Sequence, residues 1–221
     1  MKLKVGVVHT FLYSVEDIKN QFRLQLPEVE MINIIDDSLL EEVLKNKGLN
    51  AQVINRICNY YSILQNLGCI CALNQCSSVR LAAEIAGNMV DIPIAKIDEP
   101  MAREAVSSGS RIAVIATAIS TVKPSCELVE KAAREVGKSV KVTPCFVEGA
   151  YELLLKTGDK QKHNRMIINK VNGAEKDNDV IVLAQGSMYH LMPLLKHVNI
   201  PVLTSLESGV AQIRKILKLD I

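Results

Sequence analysis

The chain has 221 residues, a net charge of +2 and 48% hydrophobic residues, enough for one large domain or two small lobes with a real core. Near-neutral charge carries no nucleic-acid or membrane-surface signal, and no apolar stretch reaches spanning length. Six cysteines, many inside apolar runs, fit reduced thiols better than a disulfide framework, and none of their spacings resembles a zinc site.

Met1-Lys2-Leu3-Lys4-Val5 runs straight into a strand pattern without the apolar core and cleavage site of a signal peptide, so a cytoplasmic location is expected. Eight short apolar runs then follow, at residues 4–9, 31–35, 69–73, 92–97, 111–116, 140–146, 180–184 and 200–204. They are continuous rather than alternating, as parallel strands covered on both faces must be. Cys69 and Cys71, two apart on the third run, should share one face of it, where core packing accounts for them.

Helical patterns lie between the runs. Ser14 with Asp17 resembles a capping box, followed by Val15, Ile18 and Phe22 on one face. Ser77 and Ser78 precede a helix over 79–86 that Gly87 closes. Pro124 sits in the first turn of a helix over 125–136 that Gly137 stops. The polar spans 36–50 and 157–164 read as solvated helix or loop. Strand alternating with helix predicts an α/β protein with two parallel sheets.

The chain also repeats itself. Val5-Gly6-Val7-Val8-His9-Thr10 matches Ile112-Ala113-Val114-Ile115-Ala116-Thr117, 107 positions on. Asn74-Gln75-Cys76-Ser77 matches Ala184-Gln185-Gly186-Ser187 at 110, and Asp91-Ile92-Pro93-Ile94 matches Asn199-Ile200-Pro201-Val202 at 108. Three blocks in one order at nearly one offset imply duplicated halves. On this alignment Gly186 stands where the first half has Cys76.

In open parallel sheets, ligands bind beyond the carboxyl ends of the strands. Thr10, Cys76-Ser77-Ser78, Thr117 with Ser120 and Thr121, and Gly186-Ser187 all fall at such ends. Cys76-Ser77-Ser78 opens a helix, whose free N–H groups and positive end would bind a carboxylate and favour a thiolate. Gly186-Ser187-Met188 would form the same N–H cradle without a nucleophile, with room that a side chain would fill.

These residues resemble the cofactor-independent aspartate/glutamate/hydantoin racemase superfamily, which includes arylmalonate decarboxylase and maleate isomerase. The resemblance rests on Asn74-Gln75-Cys76-Ser77-Ser78, Ile97-Asp98-Glu99-Pro100-Met101-Ala102, Ile115-Ala116-Thr117 with Ser120-Thr121, Pro144-Cys145-Phe146-Val147-Glu148-Gly149-Ala150 and Val182-Leu183-Ala184-Gln185-Gly186-Ser187-Met188. It implies two pseudosymmetric lobes, each a four-stranded parallel sheet flanked by helices: 1–97 plus 208–221, and 98–207. It also implies a site at the lobe interface, no metal or organic cofactor, a small carboxylate-bearing substrate, no nucleic-acid or membrane partner, and a homodimer. Carried over by position, Cys76 is the first catalytic cysteine. Ser77, Ser78, Thr117, Thr121, Gly186 and Ser187, with Thr10 as a weaker candidate, bind the substrate carboxylate.

In the two-cysteine members, one thiolate removes the α-proton and the other returns it from the far face. With Gly186 at the second position this chain reads as a branch lacking that cysteine. The reading is therefore an amino-acid racemase-type isomerase, with decarboxylation of a malonate-like diacid or carboxylate binding without turnover as the alternatives. His190 is the candidate substitute base and Glu148 a candidate contact for a substrate amine. His9 reads as a buried structural histidine, Asp98-Glu99 as a helix cap, Cys58, Cys126 and Cys145 as core or surface residues, and Asp159 with His163 as part of a solvated face.

Overall fold

A computed structural model describes residues 2–219; Met1, Asp220 and Ile221, counted above in the first lobe, lie outside the described residues. The described chain divides into two compact units. One holds the residues up to Asp98 together with those from Leu206 on, and the other is Glu99–Ser205.

The first unit runs β1 (Leu3–His9), α1 (Val15–Gln25), β2 (Val29–Ile35), α2 (Ser38–Lys45), α3 (Ala51–Asn66), β3 (Cys69–Asn74), α4 (Arg80–Ala86) and β4 (Ile94–Lys96). Its four strands are parallel in the order β2-β1-β3-β4. On one face Val53, Ile57, Tyr61 and Leu64 of α3 and Ala82 and Ala83 of α4 pack against Val8 and Ala72. Helix α1 buries Val15, Ile18 and Phe22.

The second unit runs α5 (Glu99–Ser108), β5 (Arg111–Ala116), α6 (Ile119–Glu135), β6 (Lys141–Phe146), α7 (Ala150–Thr157), α8 (Lys160–Ala174), β7 (Val180–Leu183) and β8 (Val202–Thr204). Its parallel order is β6-β5-β7-β8. Alternate strand residues divide between two cores. Ile112, Val114, Val180 and Val182 meet α5 and α6, while Ala113, Ile115, Ile181 and Leu183 meet Ile167 and Val171 of α8. That double coverage is why β7 is apolar at every position. Helix α9 (Ser205–Leu217) closes the first unit: Leu206, Val210 and Ile213 are buried. Arg214 donates to the Gln25 carbonyl at 2.7 Å and pairs with Glu28 at 2.9 Å.

All eight expected strands form. The fourth and eighth are shorter than expected, starting at Ile94 and Val202, because Pro93 and Pro201 lack the N–H of a ladder residue. Their carbonyls do serve, accepting from Ala72 and Ile181 at 2.9 Å each. The capping box does not form: Ser14 precedes α1, but its hydroxyl donates to Gln75 Oε1 at 3.3 Å. Helix α6 begins at Ile119, so Pro124 lies in its second turn rather than its first. The span 36–50 is not merely solvated, since α2 buries Leu39, Leu40 and Val43. Nor is His163 on a solvated face; it is buried on α8, whose N-cap is Asp159, accepting from Lys162 N at 2.9 Å.

Cys69 and Cys71 do not share a face. Lys4 pairs with Cys69 but Val5 with Cys71, so Ile70 is an extra residue bulged out of β3. Cys69 joins the α3 core with Ala72. Cys71 pairs with Val5, and Ala72 with Gly6, whose α-carbon faces Leu64; Cys71 is therefore buried on the opposite face.

Candidate functional site

The bulge decides what stands at the carboxyl end of β3. Past it, Val8 pairs with Asn74, and two residues further along each chain the same register brings Thr10 beside Cys76. In the second unit no extra residue intervenes: Ile115 pairs with Leu183, which brings Thr117 beside Gln185. The helical turns beyond agree. Cys76 caps the 3-10 turn Ser77–Val79 at φ −129, ψ 120, and Gln185 caps the 3-10 helix Gly186–Leu194 at φ −129, ψ 129. Val79 N donates to the Cys76 carbonyl at 3.3 Å and Met188 N to the Gln185 carbonyl at 2.9 Å.

The residue equivalent to Cys76 is thus Gln185, not Gly186, which corresponds instead to Ser77. The sequence offset of 110 holds only up to Cys69; the extra residue in β3 lowers it by one thereafter. Strand register, which no single alignment of short motifs reports, was the missing signal.

Around Cys76 the polar groups of the first unit converge. Its thiol is half-buried, and burial pushes it above the usual thiol range. Opposing that are the Thr10 hydroxyl, the N–H and hydroxyl of Ser78 and the N–H of Val79, each of which favours the thiolate. Burial wins, so the resting group is a thiol, contrary to the thiolate expected from a helix start alone. Thr10 Oγ1 is buried beside this turn and makes no hydrogen bond of full geometry among the described residues. Ser77 spends its hydroxyl on the buried carboxylate of Asp98, donating to Oδ2 at 2.5 Å. Asp98, read from sequence as a helix cap, is therefore tied to the thiol's own turn. Asn74 Nδ2 donates to the Cys76 carbonyl at 3.0 Å and fixes the same turn.

In the second unit the corresponding group is an amide. Gln185 Oε1 accepts from Thr117 N at 2.6 Å, Thr117 Oγ1 at 3.0 Å and Ala118 N at 3.3 Å. Both donors of Thr117 are thereby committed within the unit. Thr121 is buried one turn into α6, its N–H donating to the Ala118 carbonyl at 3.0 Å. Ser187 lies in the turn after Gln185, where its carbonyl faces His190 Nδ1 at 2.8 Å; His190 Nε2 faces Asn164 Oδ1 at 3.0 Å. His190 is exposed, with both nitrogens engaged by its own unit. Glu148 is exposed, two residues past β6 and just before Gly149, whose φ of 72 opens α7. His9 is fully buried, its Nε2 2.8 Å from Asn33 Oδ1, and burial lowers its pKa. Cys58 is core, while Cys126 and Cys145 are half-buried away from these turns. Among the described residues no group of three or more His, Cys, Asp or Glu side chains could hold a metal ion, and no helix is long and apolar enough to cross a membrane.

The family model described as Asp/Glu/Hydantoin racemase matches residues 14–213. Among solved structures, glutamate racemase isoform RacE1 from Bacillus anthracis is similar over 98% of this chain and 82% of its own, at 16% identity and a TM-score of 0.75. Allantoin racemase from Klebsiella pneumoniae covers 100% and 89%, at 15% identity and 0.68. A glycine-to-cysteine mutant of arylmalonate decarboxylase in a sulfate-associated form covers 99% and 94%, at 13% identity and 0.63. At these identities the likeness is one of fold. No curated protein matches the chain in sequence.

Proposed function

The chain belongs to the Asp/Glu/hydantoin racemase family, and from that premise we propose that it is a cofactor-independent isomerase of the racemase type, with Cys76 as its single acid/base group. Cys76 exchanges a proton with the carbon next to a substrate carboxylate. The thiolate takes the Cα proton, the S–H bond forms as the C–H bond breaks, and the electron pair moves into the carboxylate as an enediolate. Return of the proton restores both. Backbone N–H groups at the paired turns, with Thr121, Ser78 and Ser187, stabilise the charge that develops on the carboxylate. The reading asks both strand-end clusters to act on one substrate.

The observation that carries it is the asymmetry of the two turns: a thiol among four favourable donors in one, a carboxamide with no transferable proton near neutral pH in the other. Proton transfer is thus one-sided, and α-proton exchange should outrun inversion. The test is incubation in deuterated water with glutamate, aspartate, allantoin, a 5-substituted hydantoin and an arylmalonate, following deuterium at Cα and optical rotation. We expect exchange with at least one compound, reduced at least about 1,000-fold in Cys76→Ala. Absence of exchange across the panel, or equal exchange in the variant, rejects the assignment.

A second reading is favoured by the resting thiol form and by Gln185 together: decarboxylation of a malonate-like diacid, in which the thiol only has to protonate the carbanion left by carbon dioxide. Release of carbon dioxide from the arylmalonate, with optically pure product, would select it over isomerisation.

A further inference from the structure

We propose that Gln185 is a substrate-binding residue, its Nε2 amide donating to a carboxylate or carbonyl oxygen of the ligand at the position where the other half of the chain carries its acid/base thiol. The inference rests on the reading above and names what the second turn contributes to it. Two of the three donors that meet the Gln185 side chain are backbone N–H groups, Thr117 N at 2.6 Å and Ala118 N at 3.3 Å. An N–H can be met only by an acceptor, so the oxygen of the amide faces inward and its orientation is settled by chemistry. The –NH₂ group then points the other way by the planarity of the amide. Gln185 is half-buried, and among the described residues its side chain is hydrogen-bonded through Oε1. A side chain locked at one end in this fashion offers a donor with little left to lose in rotamer entropy on binding.

The position has its own logic. Strand register sets Thr10 beside Cys76 in the first unit, where its hydroxyl favours the thiolate, whereas Thr117 Oγ1 donates to the Gln185 oxygen in the second. Thr10 tunes a thiol in one turn, and its equivalent, Thr117, anchors an amide in the other. The second turn therefore holds and the first reacts.

The experiment measures binding apart from turnover. Glutamate, a 5-substituted hydantoin and phenylmalonate are titrated calorimetrically into the Cys76→Ala protein and into the same protein carrying Gln185→Glu. Glutamate at 185 keeps an oxygen for the three inward donors but replaces the outward donor with an anionic acceptor. We expect at least one compound to bind Cys76→Ala, about 10- to 100-fold more weakly once Gln185→Glu is added, with unchanged melting temperature. Equal affinity in both proteins overturns the inference. So does weakened binding accompanied by a lower melting temperature, which would make Gln185 merely structural, and so does a failure of all three compounds to bind. The reading above stands or falls separately, on whether exchange by the otherwise unaltered enzyme depends on Cys76.

Discussion

Cys76 carries two opposed influences, and their balance sets its chemistry. Burial raises the thiol's pKa, while Thr10, Ser78 and Val79 lower it without prevailing. Exchange that begins with the thiolate should therefore accelerate as pH rises from neutrality into the alkaline range, because more of the group loses its proton. Removing a donor that favours the thiolate should push the pKa further up. Thr10→Val is the clean probe, since valine is isosteric and Thr10 Oγ1 has no other partner to orphan. We expect iodoacetamide to modify Cys76 about tenfold more slowly at a fixed pH of about 8.5, with the alkylation profile moved to higher pH. An unchanged profile would show that the hydroxyl does not act on the sulfur. Ser77 and Asp98 illustrate the same scale: a short hydrogen bond from the turn after β3 to the end of β4 gives a buried carboxylate a place that its sequence neighbours do not announce.

At the scale of elements, a single bulged residue, Ile70, sets the strand registers of the two halves apart. By shifting β3 one place against β1 it moves Cys71–Asn74 to new faces and brings Cys76, rather than Gln75, beside Thr10. The displaced Gln75 accepts from Ser14 instead. Two glycines show how closely the surrounding elements approach. A Cβ at Gly6 on β1 would lie 2.5 Å from Leu64 Cδ1 of α3, whereas one at Gly209 on α9 would meet the backbone carbonyl of Ile97. A side chain can rotate at some cost, but a backbone carbonyl moves only with its strand end. Gly6→Ala should therefore cost about 1–3 kcal/mol and Gly209→Ala more than that. Urea denaturation of both variants checks the order, and a costlier Gly6→Ala would contradict it.

Across the whole molecule the buried thiols tie stability to pH. Burial raises Cys71 to about 12 and Cys126 to about 11 from an ordinary 9.0. Above about pH 9 the unfolded chain releases thiol protons that the folded chain retains. The contribution is complete below the unfolded value and is lost as pH climbs towards 11–12. The urea midpoint should fall between pH 8 and pH 10.5, and Cys71→Ala should fall less steeply than the unaltered protein; parallel declines would assign the loss to other groups. The architecture behind these thiols was legible in the chain. Eight continuous apolar runs separated by helical periodicity can bury themselves only as doubly covered parallel strands, and the repeated blocks announced two halves. Legible too were Cys76, Ser78 and Thr10 as strand-end polar groups, because residue type and local turn chemistry place them there. Gln185 and Asp98 were not. Each owes its place to a partner brought up by tertiary packing, across the β5–β7 register and along the turn beside β4. Sequence by itself determined that eight strands form and that they are covered on both faces, since both follow from local periodicity. Only the tertiary structure decided which side chains confront one another, because one unpaired residue in a strand shifts every contact beyond it and leaves no mark on composition or motif.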